Sequence, residues 1–364
     1  MNERERFLAC MEYQSVDRHP FWDWWAWPET EQRWRAEGFD PQLCQPARLA
    51  DRRHWIAQLW QPNPPFENQT LQEDAQTRIF INHEGIVMKE LKNHPASSMP
   101  EFLKFPVETR QDFRTFWQQH MQWNLDARAG AAGHTFDSWL RQLRQDPIPL
   151  VVISDRWGGF FGPLRNMVGV ERLCLLFHDD PAFVEEMMEA VADFTIALLG
   201  RILDTVPIDV FGLWEDMAYN HAPLIGPEMV RKYMLPRYRR VLDFARSRGV
   251  KYLALDSDGK IDALIPVWLD AGLNTLYPFE VQCGMDVLAI RRTYGRDLRI
   301  WGGVDKRALK HGPAAIDAEI NRVRPLIEQG GYIAHTDHSC PPDISFANYC
   351  YYLARMAAVC RGRA

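Results

Sequence analysis

The chain has 364 residues, of which 46% are hydrophobic and 25% are charged, and its formal net charge is −6. This composition excludes a wholly disordered chain, because enough apolar residues are present to form a large core. Lysine and arginine are scattered rather than clustered, which argues against a nucleic-acid partner. No apolar run approaches the roughly 20 residues of a membrane helix, and the seven cysteines form no Cys-x-x-Cys pair. We therefore expect a soluble, cytoplasmic protein with reduced thiols.

The N-terminal part of the chain gives mixed signals. Its predicted elements are, in chain order, a short amphipathic helix at 2–13, a bulky strand at 21–25, helix and loop at 28–78, a β-hairpin at 77–91 and helices over 108–146 with a break near 129–133. The hairpin is predicted because two β-rich runs flank His83-Glu84-Gly85. The helix and loop at 28–78 are expected to lie over the rest of the fold.

From residue 149 onward, apolar strands alternate with helices. The predicted strands are 149–154, 208–214, 252–255, 274–279, 298–301 and 331–334, and the predicted helices are a long one from Pro181 and others at 227–248, 260–271 and 313–329. This repeat is typical of a parallel sheet. Almost every strand ends in an acid or a histidine, and in a (β/α)8 barrel these ends meet at one face.

We therefore predict an α/β fold, a single (β/α)8 TIM barrel over 1–364, with an N-terminal extension and the hairpin as an insertion. Together with the strand at 21–25, seven strands are visible in the sequence. We expect the eighth within 30–78. The alternative is a doubly wound open sheet, but no Gly-x-Gly-x-x-Gly turn follows an early strand.

The segment LALDSDGK, Leu253–Lys260, places two carboxylates at the end of a predicted strand. Alternate side chains of a strand share a face, so Asp256 and Asp258 should point in the same direction. Two such acids repel each other unless a proton, a cation or a basic partner neutralises them. The same pattern is typical of a turn whose acids cap a helix. The segment His335-Thr336-Asp337-His338 at another strand end favours the functional interpretation.

Other strand ends supply further candidates. The candidate catalytic residues are Asp155, Glu215, Glu280, His335 and Asp337, and the candidate substrate-binding residues are Trp22, Asp23, Trp24, Arg156 and Trp214. Fourteen tryptophans suggest a pocket for a flat ligand, although core packing accounts for most of them. One histidine of the HTDH segment is expected to be structural and hydrogen-bonded to a neighbouring acid.

Four segments carry a resemblance to a known family. They are RERFLACMEYQSVDRHPFW, WEDMAYNHAPLIGPEMVRKYMLP, DSDGKIDALIPVWLDAGLNTLYPFE and GGYIAHTDHSCPPDISFANYCYYL. Together they resemble the uroporphyrinogen decarboxylase superfamily, which also contains cobalamin-dependent methyltransferases. The resemblance spans nearly the whole chain. It implies one (β/α)8 barrel with its site at the C-terminal mouth, and it is compatible with a homodimer.

The chain departs from the decarboxylases at the first strand. The decarboxylases hold substrate carboxylates there with arginines, whereas this chain reads WDWWAWPETEQRW. Only Arg18, Arg156 and Arg165 lie near predicted strand ends. Because a buried unpaired carboxylate is costly, a substrate with many propionates is not expected. A tetrapyrrole decarboxylase stays open as an alternative, with Asp155 in the place of the acid that holds the pyrrole nitrogens.

The chain also departs from the methyltransferases, which carry zinc in a site of His-x-Cys and a later Cys. The matching positions here are Asp256, Asp258 and His338, with Cys340 two residues further on. The resemblance therefore implies a divalent metal, zinc by preference, held by harder ligands. It also implies methyl transfer between a small methylated substrate and a corrinoid supplied by a partner protein. A third possibility is a barrel that only binds a corrinoid or a porphyrin.

Overall fold

The computed structural model describes residues 1–40, 49–92 and 99–362. Its strands are β1 (His54–Ile56), β2 (Gln69–Glu73), β3 (Thr77–Ile81), β4 (Val87–Leu91), β5 (Glu101–Lys104), β6 (Leu150–Ile153), β7 (Val210–Trp214), β8 (Tyr252–Asp256), β9 (Thr275–Tyr277), β10 (Arg299–Trp301) and β11 (Tyr332–Ile333). Its helices are α1 (Glu3–Met11), α2 (Pro28–Ala36), α3 (Arg110–His120), α4 (Leu125–Ala129), α5 (Phe136–Gln145), α6 (Gly162–Val168), α7 (Val170–Asp179), α8 (Pro181–Thr205), α9 (Pro227–Met229), α10 (Leu235–Ser247), α11 (Ile265–Ala271), α12 (Val287–Tyr294), α13 (Pro313–Gln329) and α14 (Phe346–Cys360).

A parallel sheet of seven strands forms the centre of the α/β fold, in the order β1-β6-β7-β8-β9-β10-β11. The sheet curls in the manner of a TIM barrel. Strand β6 reads Leu-Val-Val-Ile and is buried along its whole length, as expected for a strand covered on both faces. Strand β1 lies in the segment where the remaining strand was expected. Within the described ranges, none of the helices has the length and apolar character that a membrane crossing requires.

The segment around Phe21 contacts both edges of this sheet. Phe21 forms an isolated parallel bridge with Ala334, immediately after β11, and its carbonyl oxygen accepts a hydrogen bond of 2.9 Å from the Asp51 N–H, ahead of β1. The strand predicted at 21–25 is wrong in its extent, because only this bridge forms. Trp25 has a φ of 63°, which turns the backbone out of the extended conformation.

A second sheet is antiparallel, with four strands in the order β2-β3-β4-β5. Strands β3 and β4 pair from Thr77 opposite Leu91 to Ile81 opposite Val87. The outer strands β2 and β5 were not predicted, because they are exposed along their whole length and β2 reads Gln-Thr-Leu-Gln-Glu, without an apolar face.

Helix α1 lies across the starts of the parallel strands. The Arg4 N–H donates to the Pro147 carbonyl oxygen at 3.0 Å, and the Gly331 N–H donates to the Cys10 carbonyl oxygen at 2.8 Å. Pro147 and Gly331 lie just ahead of β6 and β11. On the inner face of the helix, Phe7 is buried against residues that point into the sheet's interior. This end of the sheet is therefore closed by an apolar cluster.

Candidate active site

The polar ends of the parallel strands lie at the opposite face from α1. Three residues that follow these strands have left-handed backbone angles, with φ of 45° at Asp155, 41° at Asp216 and 60° at Phe279. Such angles are uncommon outside glycine and cluster at functional sites, where the surrounding structure imposes them. This face, on which the acids of the sequence pattern meet, is the candidate active site.

Asp256 is the acid in this face with the strongest reason to carry a proton. It ends β8 opposite Trp214 of β7, its side chain is partly exposed, and its carboxyl group accepts no hydrogen bond from the described residues. Burial, together with the nearby charges of Asp258, Asp216 and Asp155, raises the pKa of Asp256 well above its usual value. A carboxyl group that keeps its proton near neutral pH can act as a general acid.

Asp258 points to His338 rather than to Asp256. The Nε2 atom of His338 lies 3.5 Å from Oδ2 of Asp258, and the two side chains are 30% and 32% exposed. Burial alone would lower the pKa of His338, but the adjacent Asp258 carboxylate outweighs it and raises that pKa overall. Burial raises the pKa of Asp258 as well. We interpret the two side chains as an ion pair at the edge of the site.

This ion pair should stabilise the fold only while His338 is protonated. Because the folded pKa lies above the ordinary value of 6.5, the contribution is full below that value and is lost as the pH rises through the folded pKa. We expect it to stay below about 1 kcal/mol, because both groups are nearly a third exposed. Denaturant unfolding of the wild type and His338→Gln across this pH range measures it, with the exposed His311→Gln as the control. A difference in the free energy of unfolding that grows with pH would contradict the assignment.

The residues expected to hold a metal do not converge on one point. Within 1–40, 49–92 and 99–362, no group of three His, Cys, Asp or Glu side chains is arranged to hold a metal ion. Asp258 and His338 are paired with each other, and burial raises the pKa of the Cys340 thiol, which disfavours a thiolate ligand. The donor set of Asp256, Asp258 and His338 therefore does not fit the expected zinc site, and the function proposed below does not depend on a metal.

Glu215, predicted as catalytic, is a fully buried structural carboxylate. One oxygen accepts hydrogen bonds from the Phe160 N–H at 2.7 Å and the Tyr238 hydroxyl at 2.6 Å. The other accepts from the Phe161 N–H at 2.6 Å and the Gly162 N–H at 3.1 Å. Because four donors occupy both oxygens, Glu215 anchors the start of α6 and has no oxygen left for a substrate.

Asp337 and Glu280, also predicted as catalytic, hold loops together around Lys306. The Lys306 ammonium lies 3.5 Å from Glu280 and 3.6 Å from Asp337. Asp337 is fully buried and also accepts hydrogen bonds from the Val281 N–H at 2.8 Å and the Lys306 N–H at 3.0 Å. Glu280 accepts from the Gly259 N–H at 3.1 Å. Glu280 therefore positions the turn that carries Asp258, and Asp337 holds Lys306 and Val281 next to it, roles that the sequence pattern did not predict.

His335 lies inside the site as a neutral ring stacked on Trp24. The ring centroids are 4.4 Å apart with an angle of 11° between the planes. Burial lowers the pKa of His335 to about 3, and Nδ1 lies 2.7 Å from the Thr336 carbonyl oxygen. Nδ1 must therefore carry the hydrogen, which leaves Nε2 as an acceptor without a partner among the described residues. His335 can accept a hydrogen bond there but cannot donate a proton.

Two predicted substrate-binding residues lie away from the open part of the site. Trp22 is 1% exposed and stacks on Phe7 with ring centroids 5.6 Å apart, so it belongs to the apolar cluster over α1. Asp23 accepts hydrogen bonds from the Trp25 N–H at 2.9 Å and from the Tyr349 hydroxyl. Asp23 therefore shapes its own loop, and burial raises its pKa. Trp24, by contrast, is partly exposed.

Asp155 follows the end of β6 and interacts electrostatically with Asp256. Its side chain is partly exposed and accepts a hydrogen bond of 3.3 Å from Gln61. Burial raises the pKa of Asp155, and its hydrogen bonds with Gln61 and with the Arg156 backbone N–H do not compensate for it. Among the predicted catalytic acids, Asp155 therefore keeps a carboxyl oxygen available at the site.

A cavity of about 1030 Å³ lies between the antiparallel sheet and the ends of β6 and β7. The predicted residues Arg156 and Trp214 line it, together with Asp216. Arg156 lies 3.6 Å from Glu84, in the loop between β3 and β4, and Arg165 pairs with Asp216 at 2.7 Å. A third arginine of the lining, Arg78, pairs with Glu90 at 2.7 Å, so all three arginines at this cavity are engaged with acids.

Arg53 and Lys306 are charged residues of the interior that the pattern of strand ends does not predict. Arg53 precedes β1 and contacts the rings of Trp22, Trp24 and Trp55. The available signal was the alternation in Asp-Arg-Arg-His-Trp-Ile, which places Arg53 and Trp55 on the same face of an extended segment.

Comparisons with known proteins agree with this architecture. The family model described as uroporphyrinogen decarboxylase (URO-D) matches residues 134–357. A uroporphyrinogen decarboxylase from Sphingopyxis alaskensis is 24% identical over 192 residues, covering 49% of this chain and 50% of the relative. One from Rhodococcus jostii is 26% identical over 188 residues, covering 50% and 49%. The chain thus spans about half the length of these curated relatives.

A solved structure gives a longer match. A methyltransferase from Methanosarcina mazei superposes with a TM-score of 0.62 and 14% sequence identity, covering 98% of both chains. At this identity the likeness concerns the fold, and it extends over nearly the whole length of the chain.

Proposed function

Because the chain belongs to the uroporphyrinogen decarboxylase family, whose model matches more than half of it, we propose that it is a methyltransferase of that superfamily. In this proposal it takes a methyl group from a small methylated substrate and passes it to a corrinoid on a partner protein. The observation that carries the proposal is Asp256, a carboxyl group with a raised pKa at the open end of the strands.

The chemistry assigned to Asp256 follows from the leaving group. When the bond between the methyl carbon and its oxygen, nitrogen or sulfur breaks, the electron pair stays on that heteroatom. A proton given by Asp256 to the same atom stabilises the product as the bond breaks. The resulting carboxylate lies near Asp258 and Asp216, whose charges favour recovery of a proton from solvent. The corrinoid, when bound, supplies the nucleophile that accepts the methyl group.

The cations of the site support methyl transfer over tetrapyrrole decarboxylation. A substrate with several carboxylates needs several unpaired cations. Arg18 forms a salt bridge of 2.6 Å with Asp51, which precedes β1. Arg18 therefore lies away from the site, not near a strand end as was expected from the sequence. Arg156 and Arg165 each face an acid of the cavity wall, as described above.

Decarboxylation remains the second candidate because both curated relatives are uroporphyrinogen decarboxylases by name. In that reaction Asp155 would be the acting acid. The cavity of about 1030 Å³ lies at the upper end of the usual size of small-molecule pockets, so it has room for a macrocycle in either reaction. A cavity of this size is also compatible with a protein that binds a macrocycle without catalysing a reaction.

The test compares both reactions on the same preparation. Purified protein is mixed under reducing conditions with cob(I)alamin and a panel of methyl ethers, methylamines and thioethers. Methylation should change the visible spectrum of the cobalamin for at least one donor. Uroporphyrinogen is supplied in parallel, and release of carbon dioxide from it, lost in Asp155→Asn, would overturn the proposal. Tetrapyrrole binding without either reaction would favour a binding protein.

A further inference from the structure

Arg53 is a cation in the interior of the curled sheet that interacts electrostatically with Asp23 but forms no salt bridge with any acid of the described residues. Its guanidinium carbon lies 4.5 Å from the ring centre of Trp22, 5.2 Å from that of Trp55 and 5.7 Å from that of Trp24. Nη2 donates to the carbonyl oxygen of Asp23 at 3.2 Å. Nε has no partner among the described residues. Burial lowers the pKa of Arg53 to about 10, so the group stays charged at neutral pH.

Three other polar atoms at the same rings also lack partners among the described residues. They are Nε1 of Trp22, the hydroxyl of Tyr277 and Nε2 of His335, all of them buried. The ring centroid of Trp24 lies 5.8 Å from Tyr277 and 4.4 Å from His335. Native proteins pair nearly all of their buried polar groups. Four unpaired groups at one set of aromatic rings therefore indicate a ligand that pairs with some of them.

The chemistry of these groups defines that ligand. A guanidinium with unused N–H groups matches a carboxylate in charge and in geometry. Flat aromatic walls favour a flat apolar body. We propose that Arg53 binds the carboxylate of a small, flat organic acid whose body packs against Trp24 and Trp55. The phenol of Tyr277 can donate a hydrogen bond to the same carboxylate.

The position of Tyr277 connects this site with the acid at the end of β8. Tyr277 interacts electrostatically with both Arg53 and Asp256, and it pairs with Asp256 in the register of β8 and β9. A ligand held by Arg53 would therefore extend towards Asp256. The consequence for the reaction rests on the proposed function, since the methylated end of the acid would then face the proton donor.

The binding test needs no corrinoid and no turnover. Benzoate, a flat carboxylate, and benzamide, its uncharged counterpart, are titrated into the purified protein by calorimetry and by tryptophan fluorescence. We expect saturable binding of benzoate and at least about tenfold weaker binding of benzamide. Arg53→Met should weaken benzoate binding at least about tenfold, and Arg53→Lys should weaken it less. The matched control is Arg52→Met, because Arg52 is 72% exposed and paired with Glu3 at 2.8 Å.

Equal affinity of the wild type for benzoate and benzamide, or no saturable binding of benzoate, would overturn the proposal. Unchanged benzoate binding in a folded Arg53→Met variant would overturn it as well. If Arg53→Met does not fold, the affinities of the wild type and of Arg53→Lys for benzoate and benzamide test the proposal instead. If the proposal for Arg53 fails, the proposed methyl transfer is not affected. Benzoate binding in a protein that transfers no methyl group would count only against the proposed function.

Discussion

Replacing Asp256 with asparagine should lower the rate of methyl transfer by roughly 10²- to 10⁴-fold, the usual contribution of a general acid. Asparagine has nearly the same size and shape, but it has no acidic proton to give to the leaving atom. For the wild type, the rate should fall as the pH rises through the raised pKa of Asp256. Steady-state rates measured across this pH range, with cobalamin as the acceptor, check both expectations.

The same substitution should make the protein more stable at neutral pH. The pKa of Asp256 is raised in the folded state, so the folded protein binds this proton more tightly than the unfolded chain. The resulting stability is present below the unfolded pKa and is lost as the pH rises through the folded pKa. Asparagine cannot ionise, so the variant does not lose this stability as the pH rises. The control is Asp262→Asn, since Asp262 is half exposed and lies 3.4 Å from Lys260. Full activity in Asp256→Asn would show that Asp256 is not the acid.

Replacing Glu215 with alanine should lower the free energy of unfolding by about 4 kcal/mol or more. The change leaves four buried donors without an acceptor, and each unsatisfied group costs about 1–3 kcal/mol. Tyr238→Phe, which removes one of the four donors, should cost only about 1 kcal/mol. Denaturant unfolding monitored by circular dichroism measures both variants.

A different outcome would restore the role that the sequence suggested for Glu215. If Glu215→Ala unfolded at the wild-type denaturant concentration but lost activity, the carboxylate would act on the substrate. Glu215→Gln separates the two cases further. The amide places an N–H₂ group against backbone N–H donors, so it should destabilise the start of α6 even though its shape is nearly unchanged.

The parallel core could be predicted because its strands carry continuous apolar runs. Strand β6 and the long helix α8, with Asp180 as N-cap and Pro181 in its first turn, were visible from local chemistry alone. The exposed strands β2 and β5 gave no such signal. The pairing of Phe21 at the sheet edges depends on contacts from both ends of the chain, which no local pattern encodes.

The location of the candidate site could be predicted from the sequence, but the roles of its residues could not. Glu215 and Asp256 look alike in the sequence, because each carboxylate comes at the end of an apolar strand. What separates them is the supply of hydrogen-bond donors from a distant loop, which satisfies Glu215, whereas no donor in the described part of the chain reaches Asp256. Arg53 was overlooked because its neighbours across the interior come from other parts of the chain.

Helix α1 gives the interior of the sheet a blind end. Its hydrogen bonds to Pro147 and Gly331 and the buried Phe7 close the side on which the strands begin. A molecule lodged beside Arg53 must therefore come and go through the same opening that a corrinoid protein would cover. Under the proposed function, the small substrate has to arrive before the partner docks, and its demethylated product leaves after the partner. Because helix α1 closes the other end of the sheet, we expect an ordered rather than a random kinetic mechanism.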